Sequence, residues 1–151
     1  MGNIQNLNFD DGFMSFTLNN DPNKVIRFNP TDFGIIQRIK DAYDMIDKAS
    51  EGAEGIELNS DGTAKDKLDE SSQVIAMYDK SVRNAIDGIF NSDICDIAFG
   101  KQSALSLVGG GKFLWESFLE CICKIIEKEA GTKIEASRKR INKYKSQVYR
   151  K

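Results

Sequence analysis

The chain contains no histidine. That absence removes Ser-His-Asp and Cys-His nucleophilic catalysis, the HExxH metalloprotease and every zinc site built on imidazole. Cysteine is scarce and odd in number: Cys95, Cys121 and Cys123. On a helix, Cys121 and Cys123 point about 200° apart, which suits neither a chelate nor a disulfide. The three thiols read as small apolar residues of a reduced core. No apolar run reaches the ~18–20 residues of a membrane span, and the N-terminus lacks a basic-then-apolar signal segment. These absences predict a cytosolic protein without membrane attachment. With 151 residues, 40% hydrophobic and 29% charged, the composition describes one domain that folds without disulfides or metal.

Charge is divided unevenly. Residues 132–151 hold eight basic side chains against Glu135 alone, a net +7, while the rest holds 13 basic and 22 acidic, a net −9. A basic appendage on an acidic body suggests docking on an acidic surface, its own or a partner's.

Local patterning predicts an α+β, mostly helical protein: an N-terminal antiparallel β-meander packed against three to four helices. Ile4, Leu7 and Phe9 precede Asp10-Asp11-Gly12, a hairpin signal, and Phe13, Phe16 and Leu18 follow it. Asn19-Asn20-Asp21-Pro22-Asn23 marks a second turn before Lys24–Phe28, giving three short strands within 1–28. The helical core, 29–131, opens at Asn29-Pro30-Thr31-Asp32, with Asn29 or Thr31 as cap. Phe33, Ile35, Ile36, Ile39, Ala42, Tyr43 and Ile46 then recur at helical spacing with one face buried. A polar break covers 50–67. A second helix is predicted from about Thr63 to Phe90, with Leu68, Ile75, Tyr78, Val82, Ala85 and Ile89 near a heptad seam. A short segment from Asp93 to Phe99 ends at Gly100. A third long helix, about Lys112 to Ala130, carries a wide apolar surface and ends at Gly131. Ile134, Ile141, Tyr144 and Val148 then step through 132–151 as a separate basic amphipathic helix.

Several motifs imitate chemistry. Gly109-Gly110-Gly111-Lys112 resembles a phosphate loop, but Ser106 stands where Walker A needs its first Gly and Phe113 where it needs Ser or Thr; a flexible connector or lid is the better reading. Glu57–Gly62 copies the first half of an EF-hand loop, yet its twelfth position is Leu68, not a bidentate Glu. Carboxylate pairs such as Asp93 and Asp96, or Asp69 and Glu70, read as caps and solvated faces among 23 acidic residues. No cofactor is implied. Nucleic-acid binding through Arg138, Lys139, Arg140, Lys143 and Lys145 is a weak alternative, because the acidic remainder repels a polyanion.

Two segments carry a resemblance. Phe28-Asn29-Pro30-Thr31-Asp32-Phe33 opens an Ile-rich helix, and Ile86-Asp87-Gly88-Ile89-Phe90 continues to Ala98-Phe99-Gly100. In order and spacing they resemble small tail-assembly chaperones of Gram-positive siphophages and their prophages. Asn91 departs from the pattern, standing where Gly is expected after Phe90. The resemblance implies a non-enzymatic cytoplasmic protein of the bacterial host that binds a long helical tape-measure protein; a virion subunit forming oligomeric rings is the alternative. A caretaker of apolar helical seams needs an apolar or multivalent helical surface. The wide face of the third helix beside residues 86–99 suggests Ile89, Phe90, Phe99, Phe113 and Trp115. The basic tail adds Arg140, Lys143, Tyr144 and Val148, for a tape-measure partner or a neighbouring copy.

Overall fold

The computed structural model describes residues 2–53 and 64–149, with side chains described over 2–52 and 69–143. Two antiparallel strands, β1 (Met14–Leu18) and β2 (Asp21–Phe28), precede four helices: α1 (Gly34–Ala53), α2 (Ala64–Phe90), α3 (Ile94–Phe99) and α4 (Leu114–Tyr149). The α+β, mostly helical class expected from patterning is the one observed.

Among the described residues the sheet has two strands, not the three of the expected meander. Its hairpin turn falls at Asn19 and Asn20, whose φ values of 51° and 60° give the tight reversal a right-twisted strand pair needs. Asp10-Asp11-Gly12 makes a different turn. The Asp10 and Asp11 carboxylates accept the backbone N–H of Gly12 and Phe13 at 2.9 and 3.1 Å, and Asn29 Nδ2 donates to Asp11 O at 3.2 Å. The turn is thus fastened to the end of β2, and residues 2–10 run on as an exposed arm.

Between β2 and α1, the Asn29 carboxamide oxygen accepts both the N–H and the hydroxyl of Thr31 at 2.9 Å, and Pro30 is buried. This turn delays the helix: Asp32 accepts the Gly34 N–H at 2.9 Å and α1 starts there, later than either expected cap. Arg38 bonds the other Asp32 oxygen at 2.9 Å, and that hydrogen bond, with the one from Gly34, holds the carboxyl below its ordinary range. Only part of the anticipated α1 face is inside. Ile35, Ile39, Ala42 and Ile46 are buried, whereas Phe33 and Ile36 stay exposed. Helix α1 also continues through Ala53, into the expected polar break. The EF-hand-like stretch Glu57–Gly62 lies outside the described residues.

Helices α1 and α2 run antiparallel. Arg38 Nε donates to Ile89 O at 2.8 Å, while Lys48 and Ala49 line a pocket with Val74 and Tyr78 at the other end. Val82, Ala85, Ile86 and Ile89 complete the shared core. Helix α3 lies against the end of α2, where Asp87 accepts the Cys95 N–H at 2.8 Å, and it stops at Gly100 with φ +59°.

The loop that follows is tied down, not a flexible connector. Its 3₁₀ turn at Gly109–Gly111 uses φ of 81° and 76° at Gly110 and Gly111. Val108 N–H donates to Lys112 O at 2.8 Å, and Leu114 N–H to Ser106 O at 2.7 Å. The element before this turn is α3 and not a strand, so it lacks the setting of a phosphate loop.

Helix α4 differs most from expectation. Gly131 does not end it; the third helix and the basic tail are one helix from Leu114 to Tyr149. A mid-helix Gly costs about 1 kcal/mol relative to Ala. Propagating an existing helix needs no new nucleus, and Ile134–Lys143 offers ordinary helix formers, so the helix carries through.

Candidate partner-binding surface

The first half of α4 is anchored. Trp115, Leu119, Ile122 and Ile126 are buried at spacings of one helix face. The Trp115 ring meets Tyr43 edge-on at 5.9 Å and stacks beside Phe113 at 6.4 Å. Its Nε1 is buried without a hydrogen-bond partner, so packing alone holds it. Phe118 packs against Phe99 at 5.5 Å and Phe90 at 6.2 Å. Lys133 Nζ comes within 3.5 Å of Thr31 Oγ1, near the start of α1, so α4 passes α1 in the opposite direction.

Beyond that contact α4 leaves the body. Residues 134–149 add roughly 24 Å of helix at 1.5 Å per residue. From Gly131 to Lys143 every side chain is exposed except Ser137, which is half-buried. Ile134 and Ile141 are 41% and 44% exposed. With Leu119, Ile122 and Ile126 they fall in a sector of roughly 120° around the helix, the width of one apolar stripe. The stripe that builds the core therefore runs off the body into solvent. Arg138 and Lys143 flank it, Arg140 sits at its edge, Lys133 lies within it and Lys139 on the far side of the helix, all exposed; the Lys139–Glu135 pair at 3.7 Å, 78% and 71% exposed, removes little of that charge.

The nine residues singled out from sequence separate into three groups. Ile89, Phe99 and Trp115 are 0%, 4% and 7% exposed, inside the core. They cannot meet a partner without opening it, and as contact residues they are corrected to fold-forming ones. Phe90 and Phe113 are half-buried and pack against the same cluster. Arg140 and Lys143 are exposed on the projecting half of α4, while Tyr144 and Val148 have side chains outside the described residues. Sequence reasoning passed over a groove of about 210 Å³ between β1 and α4, lined among others by Phe16, Leu18, Ala98, Leu114, Phe118 and Ile125. Its signal was present: Phe16 and Leu18 alternate on β1, and Phe118 and Ile125 are seven apart on α4.

The cysteines divide by environment. Cys95 is fully buried, and burial, then the neighbouring Asp87 carboxylate, push its thiol far above the usual range. Burial also raises the half-buried Cys123, with Glu127 and Glu120 adding to it. Cys121 is exposed on the groove. A maleimide reagent on the native chain should therefore modify Cys121 first, Cys123 more slowly and Cys95 only after unfolding, as read by peptide mass mapping. Rapid labelling of Cys95 would show that α3 opens readily.

The two sequence segments of the resemblance both form junctions. Asn29, Pro30 and Asp32 set the turn into α1, and Ile86, Asp87 and Ile89 join the end of α2 to α3 and the core. Among the described residues no helix is long and apolar enough to cross a membrane, and no three His, Cys, Asp or Glu side chains gather as a metal site would need. No family model, curated protein or solved structure matches the chain.

Proposed function

We propose that the chain is a non-enzymatic tail-assembly chaperone of a phage or prophage, holding a long helical tape-measure-type protein in soluble form. The observation that carries the binding mode is the projecting half of α4, with Ile134 and Ile141 exposed on a stripe otherwise used for the core and bracketed by basic side chains. A lone helix with such a stripe is completed by a second amphipathic helix. The surrounding positive charge favours a partner segment rich in Asp and Glu and speeds its approach at low salt. The phage setting rests on the two junction motifs and their resemblance. Binding of this kind uses no bond-making step and no cofactor.

Co-expression with the long helical reading frame expected beside this gene tests the proposal. The soluble fraction of that partner should rise several-fold with the wild-type chain and return to its baseline with the Ile134→Asp, Ile141→Asp double variant. Equal insolubility with and without the wild-type chain would sink it. Mass spectrometry of purified particles decides the competing role: a chaperone is absent from finished virions, whereas a ring-forming tail or head-completion subunit is present.

A further inference from the structure

Among the described residues nothing packs over the N-terminal arm. Ile4, Leu7 and Phe9 are 102%, 84% and 81% exposed, an unusual concentration of free apolar surface in so short a stretch. The arm is nonetheless aimed by the fold. Gly12 stands at φ +76°, where a Cβ would lie 2.7 Å from Asn29 Nδ2, and Arg27 reaches Asp11 at 3.7 Å while lying over the Phe13 ring at 4.8 Å. These contacts pin the base of the arm beside the end of β2, and beyond it Ile4, Leu7 and Phe9 stand clear of their own chain's groove. Beyond the pin, Asn6 Nδ2 donates to Asn8 Oδ1 at 3.0 Å. The two amides therefore share one face of an extended segment, which places Leu7 and Phe9 together on the other.

The same molecule offers a receiving surface. Among the described residues no strand pairs with the second edge of β1, and a groove lies between β1 and α4. None of the residues lining the groove is charged, and neither is any residue from Gly2 to Phe9. This neutrality selects the occupant. The basic half of α4, or an acidic helix suited to it, would bury charge there at high cost, while the arm brings only apolar and amide side chains.

We propose that residues 4–9 of one copy add a strand to the open edge of β1 in a second copy, seating Leu7 and Phe9 in its groove, with the exchange reciprocal. Main-chain hydrogen bonds supply the pairing and the two apolar side chains supply register. A six-residue strand is about 20 Å long. This self-association does not depend on the tape-measure reading, since a different surface carries it.

The test uses the full chain and the native Cys121 on the groove. A Leu7→Cys variant treated with a short bis-maleimide should give a covalent dimer whose crosslinked peptides join residue 7 of one copy to Cys121 of another; adding Cys121→Ser should abolish it. Mixing isotopically light and heavy chains distinguishes a link between copies from one within a copy. A link within one copy would show the arm covering its own groove and overturn the proposal. In parallel, sedimentation should find the wild type self-associating and the triple variant Ile4→Ser, Leu7→Ser, Phe9→Ser at least tenfold weaker, with unchanged far-UV circular dichroism. A wild type monomeric at all concentrations, or a triple variant that associates as well as wild type, also overturns it. Neither result alters the expected solubilisation through Ile134 and Ile141, so failure of one proposal is distinguishable from failure of the other.

Discussion

Replacing Arg83 by Met should lower unfolding stability by about 2–4 kcal/mol, a large part of the ~5–15 kcal/mol that holds a typical domain together. The guanidinium joins three elements at once. Its Nε meets Asp79 Oδ2 at 3.3 Å on α2, and one terminal nitrogen meets Asp96 Oδ1 at 3.2 Å on α3. The other donates to the carbonyls of Gly100 and Gln102 at 3.0 and 2.6 Å, at the start of the loop leading to α4. Asp79 in turn accepts the Ala104 N–H at 2.7 Å and the Ser103 hydroxyl at 3.3 Å. These contacts do not weigh equally. Asp96 is 80% exposed, so its pairing contributes almost nothing. Asp79 and Arg83 are 23% and 18% exposed, and losing the cation there leaves a largely enclosed carboxylate without its counter-charge, whereas the carbonyls of the exposed Gly100 and Gln102 turn to water. Met fills the stem volume but donates nothing. Lys restores one charge without the planar fork and should recover less than half of the loss. Urea denaturation checks this: the midpoint should fall with an unchanged slope. A loss below about 0.5 kcal/mol, the range of ordinary surface substitutions, would show that the loop is held by Ala104 and Trp115 packing instead.

How much of this was legible follows from where information is local. The C-terminal limit of α2 at Phe90 and the stop at Gly100 were readable, because helix termination and left-handed glycine are nearest-neighbour chemistry, while the expected start near Thr63 lies outside the described residues. The hairpin was misplaced for an instructive reason. Asp-Gly is the stronger general turn signal, but here Asp11 and Gly12 are committed to Asn29, seventeen or more residues away, and Asn19-Asn20 closes the strands. A third strand was read at Ile4–Phe9 because apolar spacing records the capacity to pair, not the presence of a partner. Periodicity likewise identified the apolar face of α1 without fixing its width, so Phe33 and Ile36 were placed inside when the core stops at Ile35 and Ile39. Among the contact residues, Ile89, Phe99 and Trp115 were chosen for size and hydrophobicity, the properties that also draw a side chain into a core. Arg140 and Lys143 were placed on the exposed surface because burial of unpaired charge is costly.

The continuity of α4 makes its two halves a controlled comparison, and truncations along one stripe should separate them. Leu119→Ala removes a fully buried side chain from the middle of the core and should cost about 2–5 kcal/mol. The spread depends on how far neighbouring Phe118 and Ile122 can collapse into the space. Ile134→Ala and Ile141→Ala delete the same kind of group from the same helix, yet both side chains are nearly half exposed and belong to no part of the core cluster. Each should change the stability of the isolated chain by no more than about 0.5 kcal/mol. Alanine is also the better helix former, so the projecting segment should keep its helicity. Partner binding should reverse the order. The two Ile→Ala changes together should weaken capture of a helical partner at least tenfold, while Leu119→Ala, measured where the variant is still folded, should leave the affinity near wild type. Thermal unfolding and a pull-down with the co-expressed partner read the two effects separately. Should Ile141→Ala destabilise the isolated chain as much as Leu119→Ala, the far half of α4 would be packed on its own body in solution, and a helix already covered has no stripe to offer.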